Sequence, residues 1–306
     1  MKTKYAIFLV GPTGVGKTDM AVRVAEALGT EIISADSRQV YKELSIGTAV
    51  PGDEQLGRVR HHLVHDRSVK DDYNASMFEM EALQVMERLF SEHDTVVLAG
   101  GSGLYIQALI EGIDDVPRVD PEIRKSLLRR LYDEGLESLR FELKKLDPDS
   151  WASIDLKNPA RILKALEISL TTGRPYSSFL TRKSKQRDFA TLKIGLNMDR
   201  NLLYAGIDKR VEDMMEDGLL DEVRSCLDYR DLNALNTVGY KELFDYLDRR
   251  ISLDMAVQLI KRNSRRYARR QLTWFNRDEE ITWFCPDQFE EIMDHIHQNA
   301  HTGYQI

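Results

Sequence analysis

Residues Tyr5-Ala-Ile-Phe-Leu-Val10 run directly into Gly11-Pro-Thr-Gly-Val-Gly-Lys-Thr18, and a helical pattern follows. An apolar run rich in β-branched and aromatic residues reads as a strand, and the glycine-punctuated segment after it reads as a loop. Strand, loop G-x-x-x-x-G-K-[ST] and helix in that order are the context that turns a short motif into a phosphate-binding loop. Gly11, Gly14 and Gly16 let the backbone curl until several N–H groups face one anion, and the helix N-terminus adds partial positive charge. Lys17 supplies a mobile full charge, and the Thr18 hydroxyl can hold a Mg²⁺ ion. The loop specifies a bound polyphosphate and leaves its identity open.

The rest of the chain sets the frame. Its 306 residues, 42% hydrophobic and 30% charged, suit one large or two modest soluble domains. No apolar run nears the roughly 20 residues that cross a bilayer, and no secretory signal core opens the chain, so no membrane role is expected. Cys226 and Cys285 are the only cysteines, and both are expected as free thiols in a reducing cytoplasm. The net charge of −7 argues against indiscriminate nucleic-acid binding but leaves room for a local basic footprint.

Strands and helices alternate through the first part. Met20, Val24, Ala27 and Leu28 recur at helical spacing until Gly29, and Glu31-Ile-Ile-Ser-Ala35 is a short strand ending at Asp36. Ser76-Met-Phe-Glu79 reads as a capping box opening a helix with an apolar stripe from Phe78 to Phe90. Thr95-Val-Val-Leu-Ala99 is a buried strand entering Gly100-Gly-Ser-Gly103, while residues 192–198 and 281–284 read as later strands. Such alternation predicts an α/β fold, a P-loop-type parallel sheet core covered by helices. Residues 121–146 and 159–171 read as amphipathic helices and 201–275 as an inserted helical module. The expected domains are therefore 1–200 plus 276–306 for the core and 201–275 for the module.

Several groupings could carry chemistry. Asp36 follows the second strand, at the sheet end that faces ligands in open α/β folds, where a carboxylate can act as general base or cap a turn. The strand at 95–99 ends in Gly100-Gly101-Ser102 where switch and motor NTPases usually place an acidic magnesium ligand. Ser102 can orient Asp36 or a substrate, or cap the next helix. His61, His62 and His65 read as a strand-end or turn cluster, since adjacent histidines do not easily face one metal ion. Tyr41 and Tyr105 can line a pocket or fill the core. Lys261, Arg262, Arg265, Arg266, Arg269 and Arg270 fall on two adjacent stripes of one helix, which fits an RNA or phosphate footprint. Arg182-Lys-Ser-Lys-Gln-Arg187 reads as an exposed basic loop.

These residues converge on a family. The two glycine-rich motifs, Asp36-Ser-Arg-Gln-Val-Tyr41, Ile46-Gly-Thr-Ala49, His61-His-Leu63, residues 158–167, Asn236-Thr-Val-Gly-Tyr-Lys-Glu242 and residues 266–275 follow in order. Over nearly its whole length the chain resembles the bacterial tRNA dimethylallyltransferases, also called tRNA isopentenyltransferases. The resemblance implies transfer of a dimethylallyl group from dimethylallyl diphosphate to the exocyclic amine of the adenosine 3′-adjacent to the anticodon. Thr13, Gly16, Lys17 and Thr18 would then grip a diphosphate leaving group beside Mg²⁺, with Asp36 as general base and Ser102 orienting it. The adenosine would leave the stack of the anticodon stem-loop and enter a closed pocket. By the same likeness Asp36, Ser37, Arg38 and Gln39, then Ala160, Arg161 and Lys164, then Asn236, Gly239, Tyr240 and Lys241 would contact tRNA. Arg265 and Arg269 join them from the basic helix, and no protein partner is implied.

Two positions depart from the family pattern. Ser102 stands where threonine is usual and keeps the hydroxyl. Gly206 stands where the family commonly has a diphosphate-binding arginine, so Lys209 or Arg210, a turn further on, would have to take over. Two rivals remain open from sequence: a P-loop small-molecule kinase, and a tRNA-binding paralogue with weakened catalysis.

Overall fold

Tyr5–Val10 forms strand β1 and Lys17–Leu28 forms helix α1, joined by the glycine-rich loop. The computed structural model describes residues 3–114, 116–117, 119–181 and 184–300. The chain forms two compact units, residues 1–111 with 186–306, and residues 112–185. This division differs from the expected one, because the helical segment 201–275 belongs to the larger unit together with the sheet.

In the larger unit, β2 (Ile32–Ser34), α2 (Asp53–Arg58), β3 (His61–His62), α3 (Ala75–Glu92), β4 (Thr95–Gly100) and α4 (Gly103–Glu111) follow α1. The smaller unit supplies α5 (Pro121–Asp133), α6 (Leu136–Leu146), α7 (Pro148–Ser153) and α8 (Pro159–Thr172). The larger unit then resumes with β5 (Ala190–Leu196), α9 (Arg200–Glu216), α10 (Leu219–Ser225), α11 (Tyr240–Leu247), α12 (Leu253–Phe275), β6 (Thr282–Phe284) and α13 (Phe289–Ala300). Six parallel strands lie in the order β3-β2-β4-β1-β5-β6. The α/β parallel core is as expected, and β6 returns to the sheet after the helices.

Ala6 to Leu9 are fully buried in succession, the mark of a parallel strand covered on both faces. Met20, Ala21, Val24, Ala25 and Leu28 of α1 pack into the same core. The register sets Val10 opposite Gly100, so the phosphate-binding loop and the Gly100–Gly101 turn leave the sheet side by side. Gly100 is required there, because a Cβ would stand 2.2 Å from the Ala35 carbonyl oxygen. The carboxyl ends of β1, β2 and β4 thereby open onto one crevice.

Several local expectations are corrected. Asn74 caps α3 by accepting from the Ser76 and Met77 N–H groups, so no capping box starts at Ser76. Glu79 is instead buried against Arg187, whose guanidinium lies 2.8 Å away and also donates to the Ala108 carbonyl at 3.1 Å. Arg187 is therefore an internal tie, while Arg182 and Lys183 lie outside the described residues. The segment 121–146 is two helices broken at Gly135, which adopts φ 80°. In the smaller unit Leu127, Leu139, Leu143, Ile162 and Leu166 form a core of their own. Among the described residues no helix is long and apolar enough to cross a membrane.

Candidate active site

A cavity of about 810 Å³ opens at the strand ends of the larger unit. Its phosphate-loop side is lined by Thr13, Gly14, Gly16, Lys17 and Thr18. Gly14 and Gly16, at φ 81° and 93°, occupy the left-handed region that bends the loop around the α1 N-terminus. Gly11 lies beneath the wall: a Cβ there would meet the Leu196 carbonyl oxygen at 2.5 Å, so it serves packing against β5.

The Lys17 ammonium donates to the Pro12 carbonyl at 2.7 Å. Burial, reinforced by the Arg210 guanidinium and opposed by Asp36, brings its pKa down to about 7. Arg210, from α9, donates to the Thr13 hydroxyl at 3.4 Å and lines the cavity. Burial also lowers its pKa, again against the pull of Asp36. Two desolvated cations thus converge on the loop. Lys209 turns the other way and pairs at 2.6 Å with Asp213 on the exposed side of α9. Of the two alternatives for Gly206, Arg210 and not Lys209 reaches the phosphate loop. Gly206 also lines the cavity, and the nearest atom to a Cβ there would be the Gly14 carbonyl oxygen at 3.9 Å.

Asp36 stands beside these cations. Its Oδ1 accepts from the Arg38 N–H at 2.8 Å and the Gln39 N–H at 3.4 Å, which folds residues 36–39 into a turn. The capping and chemical readings of Asp36 are thus compatible, since Oδ2 has no hydrogen bond from a described residue. The Ser102 hydroxyl oxygen accepts from the Ser37 N–H at 2.9 Å, so this side chain is aimed at the Asp36 turn. Tyr267 of α12 sits against Ser102 and Asp36, and burial pushes its phenol up to about 12. Tyr41 and Tyr105 are core residues, with Tyr105 stacked on Phe78 at 4.6 Å.

Gln271 of α12 is a residue the linear pattern does not single out. Its Oε1 accepts from the Thr13 N–H at 2.8 Å, and its Nε2 donates to the Gly101 carbonyl at 3.0 Å. One buried amide therefore fixes the phosphate loop to the turn after β4. The helix that carries it shows how the basic run is used. Arg266 and Arg270 line the cavity with Asn263, Ser264 and Tyr267, whereas Arg265 and Arg269 lie outside its wall. Lys261 pairs with Glu212 at 2.5 Å, and Arg265 pairs with Asp208, both carboxylates from α9. The run is therefore interleaved with acids contributed by another helix.

Ser37, Arg38, Gln39, Asn236, Gly239 and Lys241 line the same cavity. Tyr240 does not: it is fully buried beneath the wall. Ala160, Arg161 and Lys164 lie on α8 in the smaller unit, where Asn158 caps the Ala160 and Arg161 N–H groups. The three histidines form no metal cluster among the described residues. His61 and His62 make β3, with His62 Nε2 at 2.5 Å from the Glu31 carboxylate.

Residues 39–278 match the family model described as IPP transferase. The chain belongs to the IPP transferase family. This IPP transferase is 55% identical over 290 residues to tRNA dimethylallyltransferase 1 of Bacteroides thetaiotaomicron, across 95% of this chain and 94% of that one. The solved full-length tRNA isopentenylpyrophosphate transferase of Bacillus halodurans is 36% identical, with a TM-score of 0.71 over 98% of this chain and 97% of that one. A eukaryotic dimethylallyltransferase, solved acting on tRNA, has a TM-score of 0.77 at 25% identity, over 98% of this chain and 77% of that one. The match begins at Gln39 of the Asp36 turn and takes in the cavity-lining residues 47–50 and the whole of α12, while the phosphate loop and Asp36 precede it.

Proposed function

We propose that this chain is a tRNA dimethylallyltransferase, moving a five-carbon allyl group from dimethylallyl diphosphate to the exocyclic amine of the adenosine 3′-adjacent to the anticodon. One observation carries the reading: a cradle for a diphosphate and the Asp36 carboxylate share a single chamber. Lys17, Arg210 and the loop N–H groups receive the diphosphate; Asp36 stands where an amine would approach, on the turn that the Ser102 hydroxyl ties down outside the cavity wall. The high identity to dimethylallyltransferases over almost the full length supports the same substrate pair.

In this reading the adenine nitrogen forms a bond to the allylic carbon as the carbon–oxygen bond breaks, and the bonding pair leaves on the diphosphate. The amine acidifies as it attacks, and its proton passes to Asp36, with Ser102 fixing the turn that holds the carboxylate. Lys17 and Arg210 meet the growing negative charge in a desolvated site, where their attraction is strongest. Mg²⁺ fits the donors available: the Thr18 hydroxyl lines the cavity, makes no hydrogen bond to a described residue, and is a hard oxygen ligand. Among the described residues no cluster of three acidic, histidine or cysteine side chains could hold a metal alone, so the ion would ride chiefly on the diphosphate. It would neutralise leaving-group charge. The RNA enters along Arg266 and Arg270, with Gln39, Asn236 and Lys241 around the flipped base. A tRNA substrate fits work in the cytoplasm.

The test is incubation of the protein with an unmodified tRNA transcript, Mg²⁺ and either dimethylallyl diphosphate or ATP, followed by mass analysis of the RNA. A five-carbon gain on one adenosine is expected. Phosphate transfer from ATP to a small molecule, with unaltered RNA, would overturn the proposal.

A further inference from the structure

The wall facing the phosphate loop is built from residues 47–50, 236–239 and 241, which come from distant parts of the chain. A single carboxylate joins them. Glu222, on α10, accepts at Oε2 from the Ser45 and Ile46 N–H groups at 2.9 and 2.8 Å, and at Oε1 from the Gly47 N–H at 2.9 Å. The Tyr240 hydroxyl donates to the same Oε1 at 2.5 Å. Three successive backbone N–H groups aimed at one carboxylate make an anion nest, here filled by the protein's own side chain. Charge-assisted hydrogen bonds of this kind are roughly twice as strong as neutral ones.

The contacts continue toward the catalytic carboxylate. A Cβ on Gly47 would stand 2.6 Å from the Tyr240 ring, so the nest is pressed flat on that ring. The loop then carries its Thr48 and Ala49 carbonyls to the Gln39 side-chain amide, at 3.3 and 2.9 Å. Ala49 adopts φ 46°, a left-handed backbone that a non-glycine residue holds only when its surroundings enforce it. Gln39 in turn belongs to the turn closed by Asp36. Glu222 itself is not on the cavity wall.

We infer that Glu222 is a positioning residue for the RNA-receiving half of the site, acting through the 45–49 loop and Gln39 on the Asp36 turn. This rests on the transferase reading above. No link of this chain passes through the phosphate loop, so its effect should divide the two substrates.

Glu222→Gln keeps the volume but replaces one oxygen by an NH₂ group among partners that are all donors. Inorganic diphosphate and unmodified tRNA transcript are titrated separately onto wild type and variant in the presence of Mg²⁺, and transfer is timed. The variant should bind tRNA about tenfold more weakly, lose about 100-fold in kcat/KM for tRNA, and keep its diphosphate affinity within about twofold. Tyr240→Phe removes one of the four bonds and should shift tRNA affinity about threefold the same way, with no loss of diphosphate binding. Unchanged tRNA affinity in both variants, or a parallel loss of diphosphate affinity, would overturn the inference. A wild type that binds tRNA but adds no five-carbon group would instead sink the transferase reading, while the affinity comparison still decides the role of Glu222.

Discussion

Lys17 offers a pH signature that follows from its surroundings. In the free protein its pKa falls from 10.5 to about 7, because the ammonium is buried and faces Arg210. A diphosphate bound as proposed would supply the missing counter-charge and return the lysine to its charged form. Between pH 7 and the restored value the complex therefore holds more protons than the free protein, so binding takes up a proton and affinity falls as pH rises. At pH 8 the free lysine is about one-tenth protonated, and binding should draw in about 0.9 of a proton through this group; at pH 6 the uptake shrinks to about 0.1. The same depression makes the unfolded chain the better proton binder between pH 7 and 10.5, so folding stability from this group rises with pH across that window.

Calorimetric titration of diphosphate in two buffers of different ionisation enthalpy measures the uptake directly. Diphosphate titrates on its own account, so Lys17→Arg serves as reference, its guanidinium staying charged throughout. The difference between wild type and Lys17→Arg at pH 8 is then the lysine's share. Equal uptake in the two proteins at pH 8 would refute the claim that Lys17 waits largely uncharged for its ligand.

Three further outcomes are expected. Asp36→Asn keeps the Oδ1 acceptor for the Arg38 N–H and should lower kcat by about 10²–10⁴ with tRNA affinity within about threefold; loss of tRNA binding to the same degree would make Asp36 purely structural. Arg266→Ala should reduce the salt slope of tRNA binding by about one, and Arg265→Ala, whose guanidinium is committed to Asp208, by clearly less. The reverse ranking contradicts the face assigned to α12. Gly206→Ala should raise stability by about 0.5–1 kcal/mol, or about 2 °C in melting midpoint, since the helical backbone accepts a Cβ with nothing nearer than 3.9 Å. A lower midpoint would show that the glycine is there for close packing.

How much of this was legible depends on how local each feature is. The phosphate loop, β1 and the Asp36 turn are written in contiguous residues, because strand pattern, glycine spacing and turn chemistry act over a few positions. The parallel sheet follows from alternation alone. The ends of elements are harder: Asn74 outcompetes Ser76 as a cap through two N–H bonds, and Gly135 breaks one amphipathic stripe into two helices. The two residues of β3 are too few to show any period. The pairs Arg265–Asp208 and Lys261–Glu212 join residues 57 and 49 positions apart. They altered the reading of the basic helix because nothing in the run itself announces the acids of α9. Gln271 and Glu222 escape sequence reading for the same reason: each is one ordinary polar residue until folding surrounds it with backbone groups.

On the transferase reading proposed above, the electrostatic layout also gives a reason for placing the base and the leaving-group site in one chamber. Asp36 favours the charged forms of both Lys17 and Arg210, so it opposes their charge before any ligand binds. Charge separation in a desolvated cavity is costly, whereas moving an existing charge between neighbouring acceptors is not. If Asp36 takes the amine proton, as proposed, that carboxylate would become neutral at the stage where the departing diphosphate gains negative charge. The site keeps its net charge while the anion shifts toward the two cations. Lys17 and Arg210 would then face a diphosphate whose charge grows as that of Asp36 is neutralised, an interaction stronger in the transition state than in the ground state, which is the condition for accelerating the step. The pairing of Arg210 with the Thr13 hydroxyl places a cation where the loop already curls, so an arginine at position 206 would add a third positive charge beside Lys17 and Arg210.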